Sequence, residues 1–408
     1  MTTNELSVRG DAAAPPAAAR LLFRMFEHLH SGSLDVVDPH GRRHAFPGKT
    51  PGTHATLELR DWAVCADILR RGDIGFAETY FNGRWDSEDL TGLLTLAAFN
   101  QQVIERALHG SWWATLAYRI RHLLRANTRS GSRRNIHAHY DLGNDFYRLW
   151  LDRGMTYSAA LFAGDPGRSL EAAQTAKYQR ILERLDVQPG DRILEIGCGW
   201  GGFAEHAAAT RGCRVTGVTV SQAQLDYARA RIAARGLQHL VELRLCDYRD
   251  LDGQFGQFDH AVSIEMFEAV GERYWPRYFH ALRERLAPGG RALVQTITIA
   301  ESKFDRYRSG TDFIQQYIFP GGMLPSPSRF VEAAAAAGLL AGEQLRFGPD
   351  YAETLNRWHR GFMRASAAVE ALGFDARFMR LWRFYLSYCE AGFRAGSTDV
   401  MQVELARA

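Results

Sequence analysis

No stretch of the sequence approaches the roughly 20 consecutive apolar residues that span a bilayer. Residues 1–16 carry Glu5, Arg9 and Asp11 where a signal peptide needs an apolar centre. A cytoplasmic protein is therefore expected. Cysteine is sparse, and Cys65, Cys198, Cys213, Cys246 and Cys389 are scattered without metal-ligand spacing. Neither a disulfide framework nor a metal site is expected, and most of these thiols should be buried small hydrophobes. What is present, 46% hydrophobic and 23% charged residues over 408 positions, makes a globular chain long enough for two domains with sizeable cores.

One stretch lacks acid altogether. Residues 106–140 hold seven arginines (Arg106, Arg119, Arg121, Arg125, Arg129, Arg133 and Arg134) and no Asp or Glu, although the whole chain is only +3. Leu116, Ile120, Leu123 and Leu124 share one helical stripe behind Trp112 and Trp113, the make-up of an interfacial amphipathic helix. At about 1 kcal/mol per basic residue near anionic lipid, half of these arginines would hold the protein at a membrane. A solvated face and a nucleic-acid surface are the competing readings. The anionic membrane, on its inner face, is preferred, and no nucleic-acid partner is expected.

Three segments are expected: a disordered alanine and proline tail over 1–19, a mixed α+β domain over 20–125, and a second domain over 126–408. In the first domain residues 32–41 read as a hairpin and 56–60 as a half-buried strand. The aromatics between Gly75 and Trp85 are expected to be core.

The second domain is organised around RILEIGCGWGG at 192–202. Ile193, Leu194 and Ile196 form an apolar strand, and Gly197 and Gly199 remove Cβ atoms where the backbone turns sharply and approaches a ligand. Gly197, Gly199 and Gly202 also satisfy the dinucleotide spacing. A dinucleotide fold places an acid about 20 residues on, at the end of the second strand. That acid is missing, because residues 213–219 end in hydroxyls. Instead Glu195 sits just before the first glycine, which resembles the E-x-G-x-G turn of S-adenosylmethionine (SAM) methyltransferases. A helix over 170–185 precedes the turn, and strands over 215–220, 241–246, 258–264 and 291–297 alternate with helices after it, the last behind a turn at 288–290. The alternation implies an α/β fold, a doubly wound, mostly parallel sheet with ligands at the strands' carboxyl ends.

Several motifs in one order carry a narrower resemblance: YDLGN at 140–144, LEIGCGWGG at 194–202, VTVS at 218–221, DYRD at 247–250, MFE at 266–268 and YIFP at 317–320. From about residue 134 onward the chain resembles the cyclopropane fatty acid synthase family, and its N-terminal part is similar to that family's small lipid-carrier-like domain. The resemblance implies a class I SAM-methyltransferase fold and methyl transfer to the cis double bond of a phospholipid acyl chain. By motif position, Thr219 and Gln224 should meet the cofactor's ribose, Asp247 and Tyr248 its adenine, and Tyr157 and Ser158 its methionine end, beside Glu195, Gly197 and Gly199. Tyr157, Phe267, Tyr317 and Phe319 are candidates to face a developing carbocation. A homodimer stays open.

The resemblance also implies a bicarbonate base held by a cysteine, a glutamate, a histidine and a tyrosine. Here the cysteine position is Ala159 and the histidine position is Gln295, while Glu268 and Tyr351 remain. A second histidine position, next after the glutamate, is Ala269, and a glycine three before the glutamate has become Glu265. Bicarbonate binding, and ring closure with it, is thereby in question. Glu265, Glu268, Gln295 and Tyr351 become the candidate catalytic set, with Glu265 supplying or anchoring the base. Two other classes stay open: a methyltransferase for another small molecule or a nucleic acid, and a lipid-binding protein with a vestigial SAM fold.

Overall fold

The computed structural model describes residues 14–101, 142–251 and 253–407. The arginine-rich stretch at 106–140, with Trp112 and Trp113, lies outside the described residues, as does the beginning of the motif at 140–144. The chain divides into two compact units, Met1–Trp112 and Trp113–Ala408.

The first unit comprises α1 (Ala17–Phe26), β1 (Ser31–Val37), β2 (Arg43–Pro47), β3 (Thr50–Leu59), α2 (Ala63–Phe81), β4 (Trp85–Asp86) and α3 (Leu90–Phe99). Its sheet runs β2-β1-β3-β4. β1 and β2 form the expected hairpin, and β3 lies parallel to β1 on its other side. In β1 every second residue is buried, the pattern of a strand with one face on the core. α1 starts at Ala17 and Ala19 is buried, so the last residues of the expected tail are a helical turn packed on this unit. The aromatics after Gly75 are core: Trp85 stacks on Phe76 at 4.1 Å between ring centres and meets Tyr80 at 4.7 Å.

The second unit begins with α4 (Asn144–Arg148), α5 (Leu170–Arg184), β5 (Arg192–Ile196), α6 (Gly202–Arg211), β6 (Arg214–Thr219), α7 (Gln222–Ala234), β7 (Val241–Leu245) and β8 (Phe258–Ile264). It continues with α8 (Trp275–Arg285), β9 (Leu286–Ile299), α9 (Phe304–Ser309), α10 (Pro327–Ala336), β10 (Leu339–Arg346), α11 (Gly348–Arg364), α12 (Ser366–Ala371), α13 (Ala376–Arg394) and β11 (Thr398–Arg407). The sheet order is β10-β11-β9-β8-β5-β6-β7. β7, β6, β5, β8 and β9 are mutually parallel, and β11 enters antiparallel between β9 and β10. Apolar strands buried on both faces explain the parallel core: β5 has only its first residue exposed. The expected turn at 288–290 is not a separate turn. β9 begins at Leu286, and the register slips between Phe258 opposite Leu286 and His260 opposite Arg291, so Pro288 and its glycines form a bulge within the strand.

The chain winds from β5 outward through β6 to β7, then crosses back to β8 on the other side of β5. Ligands bind doubly wound sheets at such a reversal, outside the strands' carboxyl ends. The residues that follow β5 and β8 are Gly197 and Glu265, both with positive φ, at 87° and 49°.

Candidate active site

The glycine turn is held from beneath and open in one place. Gly197 and Cys198 both donate their N–H groups to the Val218 carbonyl, at 2.9 and 3.0 Å. A Cβ on Gly197 would come within 2.9 Å of Met266, whereas one on Gly199 would meet nothing within 4 Å. Trp200 is buried and donates Nε1–H to Asn144 Oδ1 at 2.8 Å, which ties α4 to the turn. Glu195 is buried inside β5, and its Oε2 has no hydrogen-bond partner. Burial raises its pKa to about 8, against the pull of the Lys177 ammonium. An orphaned buried acceptor beside an open glycine turn suits a cationic ligand that approaches the backbone closely. At the end of β6 the Thr219 hydroxyl donates to Gln224 Oε1 at 3.2 Å, both residues buried. Asp247 is buried after β7, and its carboxylate already accepts from the Arg249 backbone N–H at 3.0 Å and from its guanidinium at 2.8 and 2.5 Å. Tyr248 packs edge-on against Tyr278.

Beyond β8 the carboxylate of Glu265 sits in a cradle of three donors. Its Oε1 accepts from the Ala159 backbone N–H at 2.8 Å and from Gln295 Nε2 at 2.7 Å, and its Oε2 accepts from the Tyr351 hydroxyl at 2.6 Å. Strand register explains the fit. Ile264 is opposite Gln295, the Glu265 N–H donates to the Gln295 carbonyl at 2.8 Å, and Gln295 is opposite Gln402 on β11. Gln402 Nε2 donates to Gln295 Oε1 at 2.9 Å, which turns the Gln295 amide so that its N–H₂ faces Glu265. Arg180 on α5 donates to Gln402 Oε1 at 2.5 Å and completes the row. Burial raises the pKa of Glu265, opposed by Lys177 and by the three hydrogen bonds.

Glu268 lies one turn on. Its Oε1 accepts from the Thr296 hydroxyl at 3.0 Å and from the Ile297 N–H, and its Oε2 is buried without a partner. Burial, with the Glu265 charge next, raises its pKa to about 8. Glu265, Gln295 and Tyr351 are thus brought into direct contact, while Glu268 bonds to β9 beside them.

The segment at 156–163 joins the two halves. Ala160 donates its N–H to Thr354 Oγ1 at 3.0 Å, and Phe162 and Ala163 donate theirs to Asp350 at 2.7 and 3.0 Å, so the start of α11 fixes this segment as well as carrying Tyr351. The Tyr157 hydroxyl is 2.6 Å from that of Tyr385, and Trp358 lies 5.2 Å from the Tyr157 ring. Phe319 reaches Tyr385 at 6.3 Å, whereas Tyr317 meets Phe313. Phe267 differs from its expected role: it has no exposed surface and packs among Trp275, Tyr278, Phe279 and Phe330, so it belongs to the core. Lys177 and Tyr385 were not legible as site residues. Lys177 had one sequence signal: it falls on the stripe Ala173, Lys177, Ile181 that α5 turns inward.

A seven-stranded sheet in this order, with a glycine turn after the strand beside the reversal, defines a SAM-dependent methyltransferase, and comparison with known proteins agrees. The pattern of the mycolic acid cyclopropane synthetase family matches residues 127–403, and the chain belongs to that family. It is 42% identical to tuberculostearic acid methyltransferase UfaA1 of Mycobacterium tuberculosis, over 98% of this chain and 93% of the relative. It is 34% identical to the cyclopropane-fatty-acyl-phospholipid synthase of Escherichia coli K12, over 89% of this chain and 90% of the relative. Among solved structures, mycolic acid cyclopropane synthase CmaA1 complexed with SAH and CTAB superimposes with a TM-score of 0.63 at 32% identity, covering 67% of this chain and 98% of that one. The protein is accordingly a SAM-dependent methyltransferase of the cyclopropane synthase type.

Proposed function

We propose that the protein methylates the double bond of an unsaturated phospholipid acyl chain at an anionic membrane surface, and that the Glu265 carboxylate takes the proton that must leave. The observation that carries this reading is the cradle of Ala159 N–H, Gln295 Nε2 and Tyr351 hydroxyl closed on a carboxylate of the chain itself. Ala159, Gln295 and Tyr351 stand at three positions where the resemblance puts the surroundings of a bicarbonate ion. Bound SAM supplies an electrophilic methyl group, which Glu195, Gly197, Gly199, Thr219, Gln224, Asp247 and Tyr248, with Tyr157 and Ser158, would hold at the strand ends.

The alkene's π pair would make the new carbon–carbon bond as the methyl's bond to the cofactor's sulfur breaks, its electron pair staying on sulfur, which leaves the positive charge on the acyl chain. The aromatic rings of Tyr157, Tyr385 and Phe319 wall that region and keep water from the cation. Charge balance is restored when a C–H bond breaks, its electron pair stays on carbon and its proton goes to Glu265. With the methyl on one alkene carbon and the charge on the other, loss from the added methyl closes a cyclopropane, and loss from the chain carbon beyond the charge leaves a methyl-branched alkene. A methylene chain forms when a hydride first shifts between the two carbons and the methyl then gives up the proton. A tethered carboxylate fixed by three hydrogen bonds reaches fewer hydrogens than a free ion, so the open-chain outcomes should rival ring closure. Names of both kinds occur among the relatives, a methyltransferase and a cyclopropane synthase.

Glu265→Gln keeps the shape and removes the base. We expect product formation to fall by about 100-fold or more, the usual worth of a positioned general base, with no recovery on adding bicarbonate. Proton NMR of lipids made by the parent should show methyl-branched or methylene signals. A Glu265→Gln enzyme that remains active, depends on bicarbonate and makes cyclopropane alone would overturn the assignment.

A further inference from the structure

One buried cation near the cradle has no place in the chemistry above. Lys177, in the middle of α5, has no exposed surface, and its Nζ donates to Ser158 Oγ at 2.6 Å. One turn earlier, Gln174 Nε2 donates to the Ser158 carbonyl at 2.9 Å. The next residue, Ala159, donates its N–H to Glu265. Ammonium and carboxylate are therefore fastened to consecutive residues of one backbone segment, and neither anchor moves without the other.

Packing gives no reason for a charge here. Lys177 occupies an inward position between Ala173 and Ile181, where an apolar side chain would fill the stripe without the cost of burying an ion. The groups facing it are Glu265 after β8, Asp152 after α4 and Glu195 on β5, with the Tyr178 ring 4.8 Å from Nζ. Glu265 in turn faces Glu268 and Tyr351. Three acidic side chains thus bear on one ammonium.

We propose that Lys177 is a positioning residue for methyl transfer: a buried cation seated on Ser158 that keeps Glu265 ionised and holds the Ala159 donor in place. The inference rests on Glu265 being the base. Without the cation, burial drives Glu265 towards its neutral form, and a protonated carboxyl accepts no proton. Burial pulls Lys177 itself down to about 8, while the three carboxylates oppose that fall.

The test is the pH profile of kcat on vesicles of dioleoylphosphatidylglycerol at saturating SAM, for the parent, Glu265→Gln, Lys177→Met and Lys177→Gln. In both lysine variants we expect the acid limb to move up by about one pH unit or more, the effect of removing an opposite charge beside a carboxylate. kcat at neutral pH should fall by more than KM for SAM rises. A folded Lys177→Met or Lys177→Gln enzyme with the parent's acid limb overturns the inference, as does loss of the fold in both. If Glu265→Gln keeps the parent's rate and acid limb, the base assignment fails first and takes this inference with it. A Glu265→Gln enzyme that is impaired, beside lysine variants with unchanged limbs, removes the role of Lys177 alone.

Discussion

Gly199 and Glu195 offer the sharpest tests at the scale of single residues. Gly197→Val is the obvious way to block the cofactor, but a side chain there meets Met266 as well as a positive φ, and fold and binding would fail together. Gly199→Ala separates them. At φ 50° with open space where its Cβ would point, the substitution should cost about 1 kcal/mol of backbone strain while placing a methyl where the turn is proposed to meet SAM. Calorimetry should show SAM affinity reduced at least tenfold, with the melting temperature lowered by only a few degrees. Unchanged affinity would remove the turn from the cofactor site. Glu195 predicts a pH effect. Its folded pKa of about 8 lies above the ordinary 4.5, so between those values the folded protein binds more protons than the unfolded chain. Stability from this group is therefore present below about pH 4.5 and lost as pH rises through 8, by an amount on the order of 5 kcal/mol. The ligand-free melting temperature should fall over that window, and Glu195→Gln should flatten the fall. An identical slope in the variant would show that Glu195 does not titrate there.

At the scale of elements, the row from Glu265 through Gln295 and Gln402 to Arg180 joins β8, β9, β11 and α5 in one chain of hydrogen bonds. Gln402 bonds to Gln295 rather than to Glu265, and its N–H₂ decides which end of the Gln295 amide faces Glu265. Gln402→Glu retains an acceptor for Arg180 but has no donor for Gln295. The Gln295 amide should then turn over and present its oxygen to the Glu265 carboxylate, so that kcat falls about tenfold or more with little change in melting temperature. A parental rate in this variant would show that the amide's orientation does not matter. Much at this scale was legible in the sequence. A short apolar run breaking into glycines marked β5, and Glu265 stood out because a charge at the carboxyl end of β8 needs a reason. The row itself was not legible, because it depends on β11 entering antiparallel beside β9, a pairing that leaves no local pattern. Lys177 escaped because a long polar side chain on a helix is ordinarily read as solvated, and only its place on the inward stripe argued otherwise. Phe267 resolved the other way: an aromatic ring can face a cation or fill a core, and its ring turns into the core.

Across the whole molecule, the proposed reaction requires the protein to meet a bilayer. Among the described residues no helix is long and apolar enough to cross a membrane. Lifting an acyl chain out of the bilayer costs about 0.8 kcal/mol per CH₂, so reaching a mid-chain alkene requires several kcal/mol from surface docking and apolar contacts. The basic stretch at 106–140 has the charge that such docking needs, with seven arginines and no acid in a chain of net charge only +3. Each arginine near anionic lipid contributes about 1 kcal/mol, and the contribution is screened within a Debye length of about 8 Å at physiological salt. Replacing Arg119, Arg121 and Arg125 with glutamine should therefore weaken sedimentation with phosphatidylglycerol vesicles by about 100-fold at low salt and leave a shallower dependence on salt. Affinity for SAM should stay at the parent's value, because none of the three is among the residues assigned to the cofactor. If the triple variant sediments as the parent does, the arginines serve the fold and the bilayer is met elsewhere. If it binds neither vesicles nor SAM, the stretch supports the catalytic unit itself, and the membrane reading of its charge is withdrawn.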